Sequence, residues 1–190
     1  MVRIWNPLGA GQAQKRRARS LYRGLMAAAL APEAYAAGVV PDDMDHRVQM
    51  VTLHAALLSW QLGLRPEVEL RRLPAMVQTL VFDGFDASLR ETGVGDASIA
   101  RKVRKIGEHH SGLGQAMVGV LAGPEDGRES GLADLLKRNG VTAAGREAEL
   151  AGHLAALAGA LEACPSDVFL AGEADWQCFP ATSRRDVAKA

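Results

Sequence analysis

The apolar positions of this chain recur at steps of three and four along most of its length, a pattern that predicts helices and nothing else. Between Lys15 and Leu30, Leu21, Leu25 and Ala28 fall on one side of a helix, and Tyr22 and Met26 on another. Pro32 ends it, a short turn over Glu33 to Ala37 follows, and Val39-Val40-Pro41-Asp42 must run extended before its proline. Asp42 or Asp43 is placed to cap the next helix, predicted from Met44 to Leu62. Met44, Val48, Val51, Ala55, Leu58 and Leu62 make one apolar side of that helix, and Met50, Leu53, Leu57 and Trp60 make a second. A helix apolar on two sides belongs in the middle of a fold. The narrow polar strip it leaves holds Arg47, His54, Gln61 and Arg65, with Gly63 and Pro66 at its end.

Glu67 to Arg72 reads as a short separate turn, and Pro74 suits the first turn of a helix running to about Thr92. Leu73, Val77, Leu80, Val81, Phe85 and Leu89 cover a broad apolar arc of it, so this helix is also central. Its remaining strip collects Thr79, Asp83, Asp86 and Arg90, with Asp86 four residues before Arg90 in the favourable order for an ion pair. A corner then follows: Gly93 can end the helix in a left-handed conformation, Gly95 frees the turn, and Asp96 can cap what comes next. Glu91 stands out, because an anion in a last helical turn opposes the macrodipole and needs a partner. Beyond the corner, Ile99, Val103, Ile106, His110, Leu113, Met117 and Leu121 form one seam, of a single long helix or of two if Gly112 and Gly114 break it. Gly123 to Gly131 reads as a polar loop, Leu132 to Arg138 as a short helix stopped at Asn139-Gly140, and Glu147 to Ala163 as a final helix. Asp167 to Trp176 reads as a last docking turn. No segment alternates with period two, so the fold class is all-α: one compact domain of about six to seven helices over 15–178, between a flexible arm (1–14) and a loose tail (179–190).

Composition narrows the function. A chain of 190 residues that is 48% hydrophobic can bury one substantial core. Its zero net charge argues against DNA or any nucleic acid held by a whole-surface positive field. The charge is unevenly spread, however. Met1 to Ala31 carries no acid, and Lys15, Arg16, Arg17, Arg19 and Arg23 lie close to Tyr22 and Met26 with Trp5 upstream, a composition suited to an anionic membrane surface. Arg101, Lys102, Arg104 and Lys105 are a second basic set, which either touches RNA phosphates or lipid headgroups or is simply a solvated helix face. Cys164 and Cys178 have neither disulfide-scaffold nor metal spacing and read as reduced thiols of a cytoplasmic protein. Arg23, Pro32 and Glu33 interrupt the longest apolar candidate, so no membrane span is expected, and Leu25 to Ala31 is too short and Ala-rich for a signal peptide.

Few residues suggest catalysis. Asp83 and Asp86 with His54, His109 or His110 could be arranged around a divalent cation, which would make the chain a small helical metal-dependent enzyme. No established metal spacing is present, and the simpler reading pairs Asp86 with Arg90, Asp83 with a basic group on a neighbouring helix, and leaves His110 in the core. No cofactor is expected. On residues alone, a peripheral membrane or ribosome-binding adaptor, or another helical binding module, is favoured over an enzyme.

One set of residues goes further. Phe82-Asp83, Asp86, Leu89-Arg90-Glu91, Gly93-Val94-Gly95-Asp96 and Lys102 together resemble the signature of the ubiquinol-cytochrome c chaperone family. Pro32, Tyr35, Gly38-Val39, Pro41-Asp42, Arg47 and Leu53-His54 agree in order and spacing, so the resemblance covers roughly Pro32 to Leu121. After the corner the chain departs from the pattern, with His109-His110-Ser111-Gly112-Leu113 where relatives have an aromatic pair followed by Gly and Arg. The resemblance implies a non-catalytic helical chaperone that binds newly made cytochrome b and helps assemble respiratory complex III. It also implies a small partner subunit, proximity to the ribosomal exit, and a cytoplasmic position at the inner face of the inner membrane. On this basis Asp83, Asp86, Arg90, Glu91 and Asp96 are expected to form the partner-binding face, with Arg47 and His54 on an adjacent strip.

Overall fold

In the computed structural model of the chain, the described residues are 7–91, 96–177 and 179–180; side chains are described at all of these except 7–10, 96–105, 109 and 110. Six long helices carry the fold: α1 (Pro7–Ala29), α3 (Met44–Gly63), α5 (Leu73–Glu91), α6 (Asp96–Leu121), α7 (Arg128–Arg138) and α8 (Glu147–Ala163). Between them lie the short helices α2 (Pro32–Ala36), α4 (Val68–Arg71) and α9 (Ser166–Ala171) and one 3-10 turn, Glu125–Gly127. The described residues contain no strand, and the all-α expectation holds.

The two-sided apolar helix is at the centre. α3 packs against α1, α5, α6 and α8, and Leu53, Leu57, Leu58 and Leu62 are fully buried among them. Asp43 rather than Asp42 caps it, its carboxylate accepting from the His46 amide at 3.0 Å. Two polar side chains in its buried stretch bond back to the helix itself: the Thr52 hydroxyl donates to the Val48 carbonyl at 2.8 Å, and His54 Nδ1 donates to the Met50 carbonyl at 2.8 Å. α7 and α8 form an antiparallel hairpin that reaches the centre through α6 and α3, while α9 lies against α1 and α4.

Several boundaries differ from those predicted, each for a tertiary reason. α1 begins at Pro7 rather than near Lys15, with the proline in the first turn where it costs no hydrogen bond, and Gln14 donates to the Glu69 carbonyl of α4. α6 runs unbroken through Gly112 and Gly114; a Cβ on Gly114 would stand 3.1 Å from the Ala56 Cβ, so this glycine lets α6 close on α3. α7 starts at Arg128, inside the predicted loop. A Cβ on Gly131 would stand only 2.8 Å from Val120, which makes that glycine a contact between α7 and α6. α5 stops at Glu91 and α6 begins at Asp96, while the corner itself, 92–95, lies outside the described residues.

After α9, Gly172 takes a positive φ of 86° and turns the chain back across α1. Arg17 of α1 closes this end of α9 by donating from Nε to the Leu170 carbonyl at 2.5 Å. The following residues form a strap without regular structure. Trp176 sits in a notch over Gly24, where a Cβ would come within 2.7 Å of the indole nitrogen, and its ring centroid is 6.1 Å from that of His54. Phe179 is buried against His153 of α8, centroids 5.0 Å apart. The strap therefore pins α8 to α1 and α3.

Enclosure fixes the charge state of His54. Burial holds its pKa down to about 4, with the donated bond to Met50 acting weakly in the other direction and His153 adding to the depression. Its Nε2 has no hydrogen-bond partner, as suits a neutral ring with its proton on Nδ1. In the unfolded chain the same ring titrates near 6.5, so between pH 6.5 and about 4 the unfolded state binds the extra proton and stability falls as pH falls. A loss of roughly 3 kcal/mol across that window is expected from this one group. Urea titrations at several pH values should show the loss shrink in His54→Leu; an identical pH dependence would place the histidine elsewhere. Gly24→Ala should eject Trp176, cost about 1–3 kcal/mol and red-shift indole emission, read in a background with Trp5 and Trp60 changed to Phe. Unchanged emission would show that the indole does not occupy the notch.

Candidate functional site

The predicted strip on α5 lies on the surface. Arg90 Nε donates to Asp86 at 2.8 Å, with the two side chains 56% and 39% exposed. Such a solvent-exposed pair contributes little to stability. Asp83 and Glu91 are exposed as well, Glu91 as the last residue of its helix. Across the helix crossing Asp83 faces the Tyr22 phenol, whose pKa is raised by burial and by the Asp83 charge. The crossing depends on Gly84, since a Cβ there would stand 2.6 Å from the Tyr22 hydroxyl oxygen. The side chain of Asp96 lies outside the described residues.

The second strip is divided by the fold. Arg47 is exposed, donates from Nε to Asp42 at 2.7 Å and lies 5.7 Å from the centre of the Tyr35 ring. The hydrogen bond from Arg47 holds the Asp42 carboxyl below its usual range, and burial pushes Tyr35 up to about 12. His54, two turns along, is 1% exposed. It does not share a surface with Arg47, because it lies beneath the fold with the Trp176 ring beside it. Gln61 is buried too, and Arg65 is occupied: its guanidinium donates to the Leu161 carbonyl at 2.7 Å at the end of α8 and stacks 5.0 Å from Phe169.

The basic residues of α1 also separate into two kinds. Lys15, Arg16, Arg19 and Arg23 are exposed, the last three forming one ridge at steps of three and four. Arg17 is half-buried and committed to Leu170. Side chains of Arg101, Lys102, Arg104 and Lys105 fall outside the described residues, as do those of His109 and His110. No group of three or more His, Cys, Asp or Glu residues set to hold a metal ion occurs among the described residues, and no helix there is long and apolar enough to cross a membrane.

A feature that the sequence reading missed is an open groove of about 650 Å³ where α3, α5 and α6 meet. Its walls are Trp60 of α3 and Phe82 of α5, both half-buried, and its floor is Ala56, Gly107 and Gly114. A Cβ on Gly107 would rest 3.5 Å from the Phe82 ring, so the missing side chain is what opens the floor beside that wall. The polar members are neutral: Ser59 of α3, Gln78 of α5, and Ser111 and Gln115 of α6, the last two hydrogen-bonded to each other at 3.1 Å. The available signal was Gly107, Ser111, Gly114 and Val118, which recur at steps of four, three and four beside the Leu113 and Met117 seam. A second concavity of about 630 Å³ between α7 and α8 has small residues of α8 at its base but a charged rim that includes Glu125, Arg128, Glu129 and Glu162.

With this geometry in place, three comparisons with known proteins bear on the chain. The structure superposes on the crystal structure of the Cbp3 homolog from Brucella abortus with a TM-score of 0.74, at 23% sequence identity, covering 88% of this chain and 92% of that one. At that identity the likeness concerns the fold. A comparison with curated protein sequences finds no match. The model of the family described as ubiquinol-cytochrome C chaperone matches residues 37–176, well past the 32–121 stretch on which the sequence resemblance rested and as far as Trp176 of the strap. The chain therefore belongs to the ubiquinol-cytochrome c chaperone family.

Proposed function

We propose that this protein binds newly made cytochrome b and promotes assembly of the cytochrome bc complex, respiratory complex III, at the membrane. The observation that carries the reading is the family match over residues 37–176, on an all-helical chain whose predicted contact residues lie largely at the surface. Asp83, Asp86, Arg90 and Glu91 along the outer edge of α5, with Arg47 beside the α2–α3 loop, are the proposed contacts to the client or to a small partner chaperone subunit. Asp96 extends the same proposal. His54 is better placed to set the stability of the body that carries these residues.

The cationic ridge of α1 gives the chaperone a second surface, for anionic headgroups at the inner face of the membrane or for the ribosome from which the client emerges. Both are polyanions, and Lys15, Arg16, Arg19 and Arg23 present their charge outward with no acid earlier than Glu33.

Deleting the gene should lower assembled complex III and cytochrome b in membranes, and restored assembly on re-expression should depend on the chaperone; normal cytochrome b levels in the deletion strain would refute the proposal. Reversing the four exposed α1 charges to Glu should abolish flotation with vesicles containing anionic lipid while leaving the thermal melt near that of the parent chain. Flotation that is absent in the parent chain, or insensitive to both the reversal and added salt, would remove the membrane from the list of partners.

A further inference from the structure

The groove between α3, α5 and α6 is where the enclosure of the central helix is incomplete. Along the buried stretch of α3 from Val48 to Leu62, the half-buried positions are Gln49 and then Ala56, Ser59 and Trp60, and the last three all line the groove. Phe82 faces it from α5. Apolar area of this kind, gathered at one place on a helical body, marks a surface that another molecule covers.

The shape and the charge of the groove indicate what that molecule is. Gly107 and Val118 mark its extent along α6, and eleven residues of helix span about 16 Å, or three helical turns. Small residues on its floor, at alternating steps of four and three, are what allows one helix backbone to approach another closely. None of the described lining residues carries a charge, in a chain where 23% of residues do, whereas the concavity between α7 and α8 is ringed with charge. A charged or strongly polar segment would lose hydration here and find no ionic partner among the described lining residues, while an uncharged apolar helix would lose nothing and would cover Trp60 and Phe82.

We infer that this groove seats a single uncharged apolar helix of the client, of the kind that later crosses a membrane. The inference rests on the chaperone reading for the identity of the client, and on the groove alone for the chemistry of the segment. The described rim suits such a cargo: Gln115 already donates to the Ser111 hydroxyl, so part of its polar demand is met within the chain. Contacts limited to the faces of two aromatic rings and a floor of small residues hold the segment without reading its sequence in detail, which permits release to the membrane.

The test uses the full chain, its variants Ser111→Arg and Ser111→Ala, and a synthetic Leu/Ala helix flanked by lysines. Ser111 is exposed, so the arginine places charge and bulk in the groove without entering the core. Fluorescence anisotropy should show binding of the peptide by the parent chain and by Ser111→Ala, and weakening by tenfold or more in Ser111→Arg, with all three giving the same helical circular dichroism. Equal binding by a folded Ser111→Arg would overturn the inference. So would a dimer of the parent chain that Ser111→Arg dissociates, since the occupant would then be a second copy. Crosslinking in cells separates the two readings: cytochrome b captured equally by the parent chain and Ser111→Arg refutes the groove and keeps the chaperone. A parent chain that captures no cytochrome b, yet binds the peptide in a way that Ser111→Arg blocks, refutes the client and keeps the groove.

Discussion

The enclosure of α3 is the constraint on which the rest of the molecule depends. Nearly every side chain from Val48 to Leu62 is removed from water, so α1, α5, α6 and α8 are positioned by the need to cover one helix, and their contacts with each other follow from that. Two of the three polar groups caught inside are made tolerable locally: Thr52 and His54 each return a hydrogen bond to the carbonyl four residues before. Where coverage is thinnest, at Ala56, Ser59 and Trp60, the groove appears. The interior and the surface feature are thus two results of the same packing problem.

Charge is used differently. Apart from near-neighbour pairs such as Asp86 with Arg90, the arginines that matter to the architecture point at carbonyl oxygens far away in the chain. Arg17 holds Leu170, Arg65 holds Leu161 and Glu162, and Arg146 holds Ala37 at 3.2 Å. A guanidinium at the carbonyl end of a helix or loop satisfies acceptors that have no backbone donor and meets the negative end of the dipole. These contacts join segments that hydrophobic packing alone would leave free to slide. The cations on the outer face of α1, Lys15, Arg16, Arg19 and Arg23, instead point to solvent.

Much of this was legible in the sequence, because periodicity reports on burial. The two apolar sides of α3, the broad arc of α5, the Asp86–Arg90 pair and the cap at the start of α3 all follow from local spacing. The departures come from glycines and from the strip on α3. Gly114 and Gly131 read locally as breakers or loop residues, yet each is placed where another helix comes within a methyl's width, and nothing local distinguishes these two uses. Arg47 and His54 share a side of their helix in both sequence and structure. What separates them is the burial of His54 beside a strap more than a hundred residues away, so the spacing was right and the inference of a common surface was not. The groove needed three helices at once, and only its small-residue stripe on α6 was written in one place.

The bond from Arg17 to Leu170, with Gly172 folded onto the same turn of α1, places an early and a late segment of the described chain against each other. During synthesis this has an order imposed on it. α1 leaves the ribosome before α9 and cannot place Arg17 on the end of α9, or receive the indole that fills the notch at Gly24, until residues 170 to 176 have been made. Throughout that interval α1 offers its full set of cations, Arg17 included, together with an apolar face that has not yet found all its neighbours. Until those residues dock, α1 is stickier and more basic than in the folded body, and the arrival of α9 and the strap is what quiets it.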